Sequence, residues 1–306
     1  MKILVATEKP FAPVAVKGIK EIIEAAGFEC ALLEKYTQKS QLLEAVKDVN
    51  ALIIRSDKID AAVMDAAPEL KIVVRAGAGY DNVDLEAATA HGIVVMNTPG
   101  QNANAVAELV IGLLLYTIRN RFDGTSGTEL KGKKIGLMAF GAVAQNVARI
   151  AKGFGMEISG FSPRNQPQKI IDAGFHVHED VQSLFAENDI VSLHIPATPQ
   201  TKGCITYDLI KSMKPNAILL NTARKEIIDE EGLLRAMTER PDLRYVTDLK
   251  LGAHDEAVEK LAGRYIFTPK KMGAQTSEAN INAGLAAASQ IVDFFKNGVT
   301  TFQVNK

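Results

Sequence analysis

The stretch "KKIGLMAFGAVAQNVARIAKGFG", residues 133–155, decides the fold. Its first part is a short apolar run. Its second part carries apolar residues at helical spacing, and Gly141 stands at the join. A strand that turns sharply into a helix is the unit from which dinucleotide-binding sheets are built, where the turn is usually spelled G-x-G-x-x-G. Here the six positions from Ala139 to Ala144 read A-F-G-A-V-A. Gly141 holds the middle position, where a side chain would collide with a pyrophosphate. Ala144 holds the third, which faces the strand and accepts Ala. Ala139 is expected to turn with a negative φ, which costs Ala nothing. The backbone of Gly141, Ala142 and Val143 would then offer unsatisfied N–H groups and the positive end of a helix to an anion. The same pattern also fits a turn that binds nothing.

Dinucleotide sites place an acid roughly 20 residues further on, against the ribose hydroxyls. The next strand here ends "GFSPRNQP", with Ser162 in the acid's place and Arg164 two residues later. An acid repels a 2′-phosphate, whereas Ser with Arg receives one. NADP(H) use and a weakly discriminating NAD(H) site both fit, and the choice stays open.

Working outward, short apolar strands alternate with amphipathic helices along the chain. Strands are predicted at residues 2–6, 51–55, 70–77, 92–97, 134–139, 157–162, 189–195, 217–223 and 245–249. Helices are predicted at 14–26, 97–120, 143–154, 230–238 and 277–297. Near-continuous hydrophobic strands between helices mean parallel sheet covered on both faces. Two α/β halves follow. The helix of 97–120 is expected to pass between them, and the last helix to return to the first half.

The 306 residues are 47% hydrophobic, long enough for two cores, and the net charge of -1 gives no field that would draw nucleic acid or an anionic membrane. The apolar run "AVAELVIGLLLY", residues 105–116, carries Glu108 and is too short to span a bilayer. The opening "MKILVATEKP" reads as a first strand rather than a signal peptide. Cys30 and Cys204 have no metal-ligand spacing, so no metal is expected and a reducing, cytoplasmic compartment is.

Four stretches match one family: "RAGAGYDNVD", "MNTPGQNANAVAEL", "VSLHIPATPQTKG" and "LLNTARKEIIDEEGL". In order and across nearly the whole chain they resemble the D-2-hydroxyacid dehydrogenases, most closely the short phosphoglycerate dehydrogenases that lack a regulatory domain. The resemblance implies two Rossmann-like, doubly wound parallel α/β domains flanking a cleft. Residues 1–97 with 276–306 would form the substrate domain and 98–275 the NAD(P) domain. It implies hydride transfer between a nicotinamide and C2 of a 2-hydroxy or 2-keto acid.

On the resemblance, Arg224 is the catalytic arginine, a charged fork suited to a carboxylate and a carbonyl. The backbone of Ala76, Gly77, Ala78 and Gly79 would receive the substrate carboxylate. Arg55 would contact a substrate phosphate, with Ser56 and Lys58 as helpers, and Asn102 would line the substrate side. Asp248 would meet the nicotinamide amide, Asn221, Thr222 and Ala223 would pass beneath the ring, and His194, Pro196 and Gly273 would border the cofactor.

The chain departs from the family where His and Glu normally act as acid/base and helper. The segment reads "TPKKMGAQTSEA", which puts Lys271 or Lys270 at the His position. Ala253 falls at the Glu position, and His254, Asp255 and Glu256 beside it are expected in a solvated loop. A His, with an ordinary pKa of about 6.5, needs an acid to stay protonated; a Lys, at about 10.4, does not. Burial beside Arg224 is expected to bring that lysine into a useful range. Lys225 stands at a usual Gly position.

The expected activity is oxidation of 3-phospho-D-glycerate. Glyoxylate or hydroxypyruvate reduction is the alternative within the family, and NAD(H) sensing without turnover the alternative outside it. "TTFQVNK" at the end implies no serine-sensing domain and no serine inhibition. A homodimer is expected because the apolar helix of residues 109–116 needs cover.

Overall fold

The computed structural model describes residues 1–162 and 167–306. The chain forms two compact units, Met1–Asn102 with Ala274–Lys306, and Ala103–Gly273. The breaks fall at 102/103 and 273/274 rather than 97/98 and 275/276. The loop after "MNTPG" stays with the first unit, and the connecting helix starts only at Ala103.

In the first unit the order is β1 (Lys2–Thr7), α1 (Pro13–Ala25), β2 (Glu29–Glu34), α2 (Lys39–Ala45), β3 (Ala51–Ile54), α3 (Ala61–Asp65), β4 (Ile72–Arg75), α4 (Leu85–Ala90) and β5 (Val94–Asn97). The strands form a five-stranded sheet of order β2-β1-β3-β4-β5, every pair parallel. Side chains from both faces are buried. Leu4, Leu52, Ile54 and Val73 pack on one side, and Ile3, Val5, Ile53 and Val74 on the other.

The second unit runs α5 (Ala103–Ile118), β6 (Lys134–Met138), α6 (Ala142–Gly153), β7 (Glu157–Phe161), α7 (Gln168–Asp172), β8 (His176–Val177), α8 (Val181–Glu187), β9 (Ile190–Leu193), α9 (Tyr207–Lys211), β10 (Ile218–Asn221), α10 (Glu230–Glu239), β11 (Arg244–Thr247), α11 (His254–Leu261) and β12 (Tyr265–Phe267). Its parallel sheet has the order β12-β11-β10-β9-β6-β7-β8. The last helix, α12 (Ser277–Asn297), returns to the first unit, where Ala283, Ala287 and Ile291 pack against Ile3, Val5 and Ile19.

Local chemistry sets the helix ends. Asp60, Asp84, Asp180, Asp229 and Thr276 each accept a hydrogen bond from the backbone three residues on, satisfying one orphan N–H. Gly298, at φ 66, lets the chain leave α12 in the left-handed conformation. Strands β2, β8 and β12 were not predicted from the sequence. β2 and β12 are sheet edges, β12 has three residues and β8 only two.

Much of α5 is covered within its own unit. Val110, Ile111, Leu113 and Leu114 are buried against β6 and α6 of the same unit. Its exposed large apolar residue is Tyr116, which meets Phe122 edge-to-face at 5.6 Å. No helix among the described residues is long and apolar enough to cross a membrane.

Candidate active site

In each open α/β sheet, ligands bind beyond the carboxyl ends of the strands where the order reverses. In the first unit that point lies between β1 and β3, and the residues beyond β3 are Arg55, Ser56 and Asp57. Asp57 is buried, and its carboxylate accepts from the N–H groups of Glu8 and Arg55 and from the Tyr36 hydroxyl. Burial and the hydrogen bond to Asp57 push the Tyr36 phenol pKa well up. Asp57 thus pins the loop that carries Arg55, and the sequence reading missed it because an Asp in "RSDK" looks like any solvated acid.

The Arg55 guanidinium is half-buried under Phe11, whose ring lies 5.2 Å away. It donates to the carbonyls of Lys9 and Pro10, at 3.0 and 2.9 Å, and to Asn280 Oδ1. These acceptors are neutral, so they hold the cation in place without forming an ion pair with it. Burial draws its pKa down, and the nearby charge of Asp57 opposes that shift. Ser56 is exposed.

β4 ends at Arg75, whose Nε donates to the Arg55 carbonyl at 3.0 Å. The next loop runs over Ala76, Gly77, Ala78 and Gly79. Gly77 has φ 149, and a Cβ there would lie 1.4 Å from Arg75 Nη1. Only Gly allows the guanidinium to lie on this backbone. Asn97 Nδ2 donates to the Ala78 carbonyl, and the Thr98 N–H donates to the Gly77 carbonyl. Among the described residues, no protein acceptor takes the N–H groups of Gly77, Ala78 or Gly79. Asn102 is half-buried and closes the first unit's chain segment.

The reversal in the second unit lies between β6 and β9. β6 runs into the glycine turn. Ala139 takes φ 70, not the negative value expected. Its N–H is fixed to the Phe161 carbonyl at 2.8 Å, and that pairing with β7 holds the residue in the left-handed region. Gly141 caps α6 in an extended conformation, and no side chain caps the helix. Among the described residues, a Cβ at Gly141 would meet no atom within 4 Å. No described acceptor takes the N–H groups of Ala142 or Val143, as an anion cradle requires. Ala144 is fully buried against Ile135 and Leu137. Ser162 follows β7, and Arg164 lies outside the described residues.

Beyond β9, His194 is half-buried with Nε2 3.0 Å from Ser192 Oγ, and burial pulls its imidazole pKa down to about 4. Pro196 is exposed, and its carbonyl accepts from Thr201 Oγ1. Beyond β10, buried Asn221 shapes the loop. It donates to the Arg224 carbonyl and accepts from the Ala223 N–H. Arg224 is half-buried, with Nη1 on the Ala223 carbonyl at 2.8 Å. Lys225 opens a 3-10 turn, Lys225–Ile227, without positive φ, so this chain does not need the glycine.

Two polar atoms at this end of the sheet are buried without a protein partner, Thr222 Oγ1 and Asp248 Oδ1. Asp248, beyond β11, spends its other oxygen on the N–H groups of Met272 and Gly273. A buried carboxylate oxygen without a donor costs free energy unless a ligand supplies one. Together with the space at Gly141, this fits a dinucleotide with its carboxamide end at Asp248.

Lys270 and Lys271 are both exposed, so the expected burial is absent. Thr268 Oγ1 holds the Lys270 carbonyl at 2.7 Å, and Lys271 has contacts of its own. His254 is not in a solvated loop. It begins α11, with Nδ1 3.1 Å from the Tyr265 hydroxyl and its ring edge-on to Phe267 at 4.6 Å. Ala253 and Gly252 donate their N–H groups to Glu230.

The family model of the D-isomer specific 2-hydroxyacid dehydrogenase catalytic domain matches residues 5–305. The D-3-phosphoglycerate dehydrogenase of Methanocaldococcus jannaschii is 35% identical over 286 residues, 87% of this chain. This chain spans only 54% of that protein's length. The glyoxylate reductase of Thermococcus litoralis is 33% identical over 316 residues, 94% of this chain and 93% of that protein. The NAD+-bound structure of Entamoeba histolytica 3-phosphoglycerate dehydrogenase superposes with a TM-score of 0.89 at 50% identity, covering 100% of this chain and 99% of the other.

Proposed function

This chain belongs to the D-isomer specific 2-hydroxyacid dehydrogenase family, and on that premise we propose that it is a cytoplasmic, NAD(P)-dependent D-3-phosphoglycerate dehydrogenase. The observation that carries the substrate choice is Arg55, a half-buried guanidinium held by three neutral acceptors. A cation built in at the carboxyl end of β3 without an ion-pair partner among the described residues suits a substrate phosphate. The likeness to the Entamoeba enzyme at 50% identity supports the same choice.

In this reading a nicotinamide, when bound, would supply the hydride chemistry at C2. The protein supplies the rest. The N–H groups of Gly77, Ala78 and Gly79 would offer donors to a carboxylate, and Arg224 is the candidate to polarise a C2 oxygen. Lys271, with Lys270 as second choice, would donate the proton to the keto oxygen in the direction of reduction. Asp248 would hold the carboxamide end of the cofactor, and the N-terminus of α6 at Gly141 its pyrophosphate. NAD and NADP are both admitted, and a homodimer goes with the family likeness.

Initial rates with NADH and NADPH against phosphohydroxypyruvate, hydroxypyruvate and glyoxylate test this. The expected result is the highest kcat/KM for phosphohydroxypyruvate. A preference for glyoxylate or hydroxypyruvate favours the second reading, reduction of an unphosphorylated keto acid, which the Thermococcus likeness over both full lengths supports. Absence of turnover with all three would remove the enzymatic reading.

A further inference from the structure

β8 is the outermost strand of the second unit's sheet, and "FHVHED" places a histidine at either end of it. His176 and His178 are two residues apart on an extended segment, so they share one face. Their rings meet edge-to-face at 4.9 Å. Glu187, the last residue of α8, brings Oε2 to 3.9 Å from His178 Nδ1. One ligand atom from each of the three lies within 4.8 Å of the others. They line a cavity of about 350 Å³ with Lys134, Glu157 and Ser159. Lys134 is directed to Glu157, at 4.0 Å.

His178 is buried, and its far nitrogen is already oriented. Nε2 lies 3.0 Å from Ser159 Oγ and 3.1 Å from Asn188 Nδ2. Ser159 Oγ donates to Asn188 Oδ1, and Asn188 Nδ2 donates to the Leu184 carbonyl. Asn188 Nδ2 can only donate, so Nε2 accepts from it and the imidazole proton lies on Nδ1, toward Glu187. The partners of the second nitrogen fix the ring orientation of a metal-ligating histidine.

We propose that His176, His178 and Glu187 form a binding site for a divalent transition metal ion such as Zn2+. Two imidazoles and one carboxylate suit such an ion, whereas Ca2+ and Mg2+ require more oxygens. Ligand atoms on a tetrahedral zinc stand roughly 3.3 Å apart, and the exposed His176 and Glu187 side chains can rotate inward to reach that spacing. The bound ion displaces any proton on the ligating nitrogen, and water fills the remaining position. It ties the edge strand to the end of α8. None of these residues belongs to the groups assigned to substrate or cofactor, so this site stands apart from the proposed reaction.

The test is isothermal titration of tag-free, chelator-treated protein with Zn2+ and with Co2+. His176→Ala and Glu187→Gln change exposed side chains and leave the core intact. The expected result is a single strong site per chain, weakened at least tenfold in either variant and roughly 10–100-fold in Ser159→Ala. Zn2+ should raise the thermal midpoint of the wild type but not of the double variant. A Cys30→Ser, Cys204→Ser protein should bind as the wild type does. No Zn2+ uptake, uptake unchanged in the double variant, or uptake lost with the cysteines would each overturn the proposal.

Discussion

Asp248 Oδ2 accepts the N–H of Gly273 at 2.8 Å, and with it that of Met272 at 3.0 Å. The carboxylate at the end of β11 therefore anchors the segment that carries Lys270 and Lys271, while its Oδ1 has no donor. Asp248→Ala should lose roughly 3 kcal/mol of stability in urea unfolding, from two charge-assisted hydrogen bonds. It should also weaken NADH binding, measured by fluorescence titration. Unchanged NADH affinity would remove Asp248 from the cofactor site.

Ala139 and Gly141 should respond with opposite signs. Ala139 sits at φ 70, which costs a non-glycine residue about 1 kcal/mol. Ala139→Gly should therefore keep or raise stability and leave NADH binding intact. Gly141→Ala has a permitted φ of -79 and room for its methyl. It should stabilise the protein by about 0.5 kcal/mol through the unfolded chain, yet weaken NADH binding at least tenfold by obstructing the pyrophosphate. A Gly141→Ala protein that binds NADH normally contradicts the cradle.

Arg55→Ala should raise KM for phosphohydroxypyruvate about 10- to 100-fold, equivalent to a lost charge-assisted contact of about 1.5–3 kcal/mol. KM for glyoxylate should hardly move. Because Arg55 also ties Lys9, Pro10 and Asn280 together, some thermal stability should go as well. The ratio of the two KM changes separates the two effects.

Lys271→Ala should lower kcat about 10²–10⁴-fold, the usual scale for removing a general acid, with NADH affinity retained. Lys270→Ala should have the smaller effect. Wild-type rates in both variants would take lysine out of the proton transfer.

His194 should not titrate in the neutral range. Its imidazole is held down to about 4 by burial, below the ordinary 6.5. Between those values the unfolded chain takes up the proton and the folded protein does not, so stability falls as pH drops from about 6.5 to about 4. His194→Gln should flatten that part of the pH–stability curve and leave the pH–rate profile near pH 7 unchanged.

The sequence by itself determined the parallel α/β class, because apolar strands alternating with amphipathic helices have few other ways to bury both sheet faces. It marked the glycine turn and the return of α12, and the family resemblance marked Arg55, Arg224 and Asp248. Only the tertiary structure decided what those residues touch. Asp57 became a buried clamp because Glu8, Tyr36 and Arg55 converge on it from distant parts of the chain. Ala139 was forced to a positive φ by its pairing with Phe161, a constraint no local propensity carries. His254 left the solvent because β12 brought Tyr265 and Phe267 beside it. Spacing along a chain records periodicity and local turns. Burial and hydrogen-bond partnership depend on which segments the fold brings together, and that is fixed only when the sheets have formed.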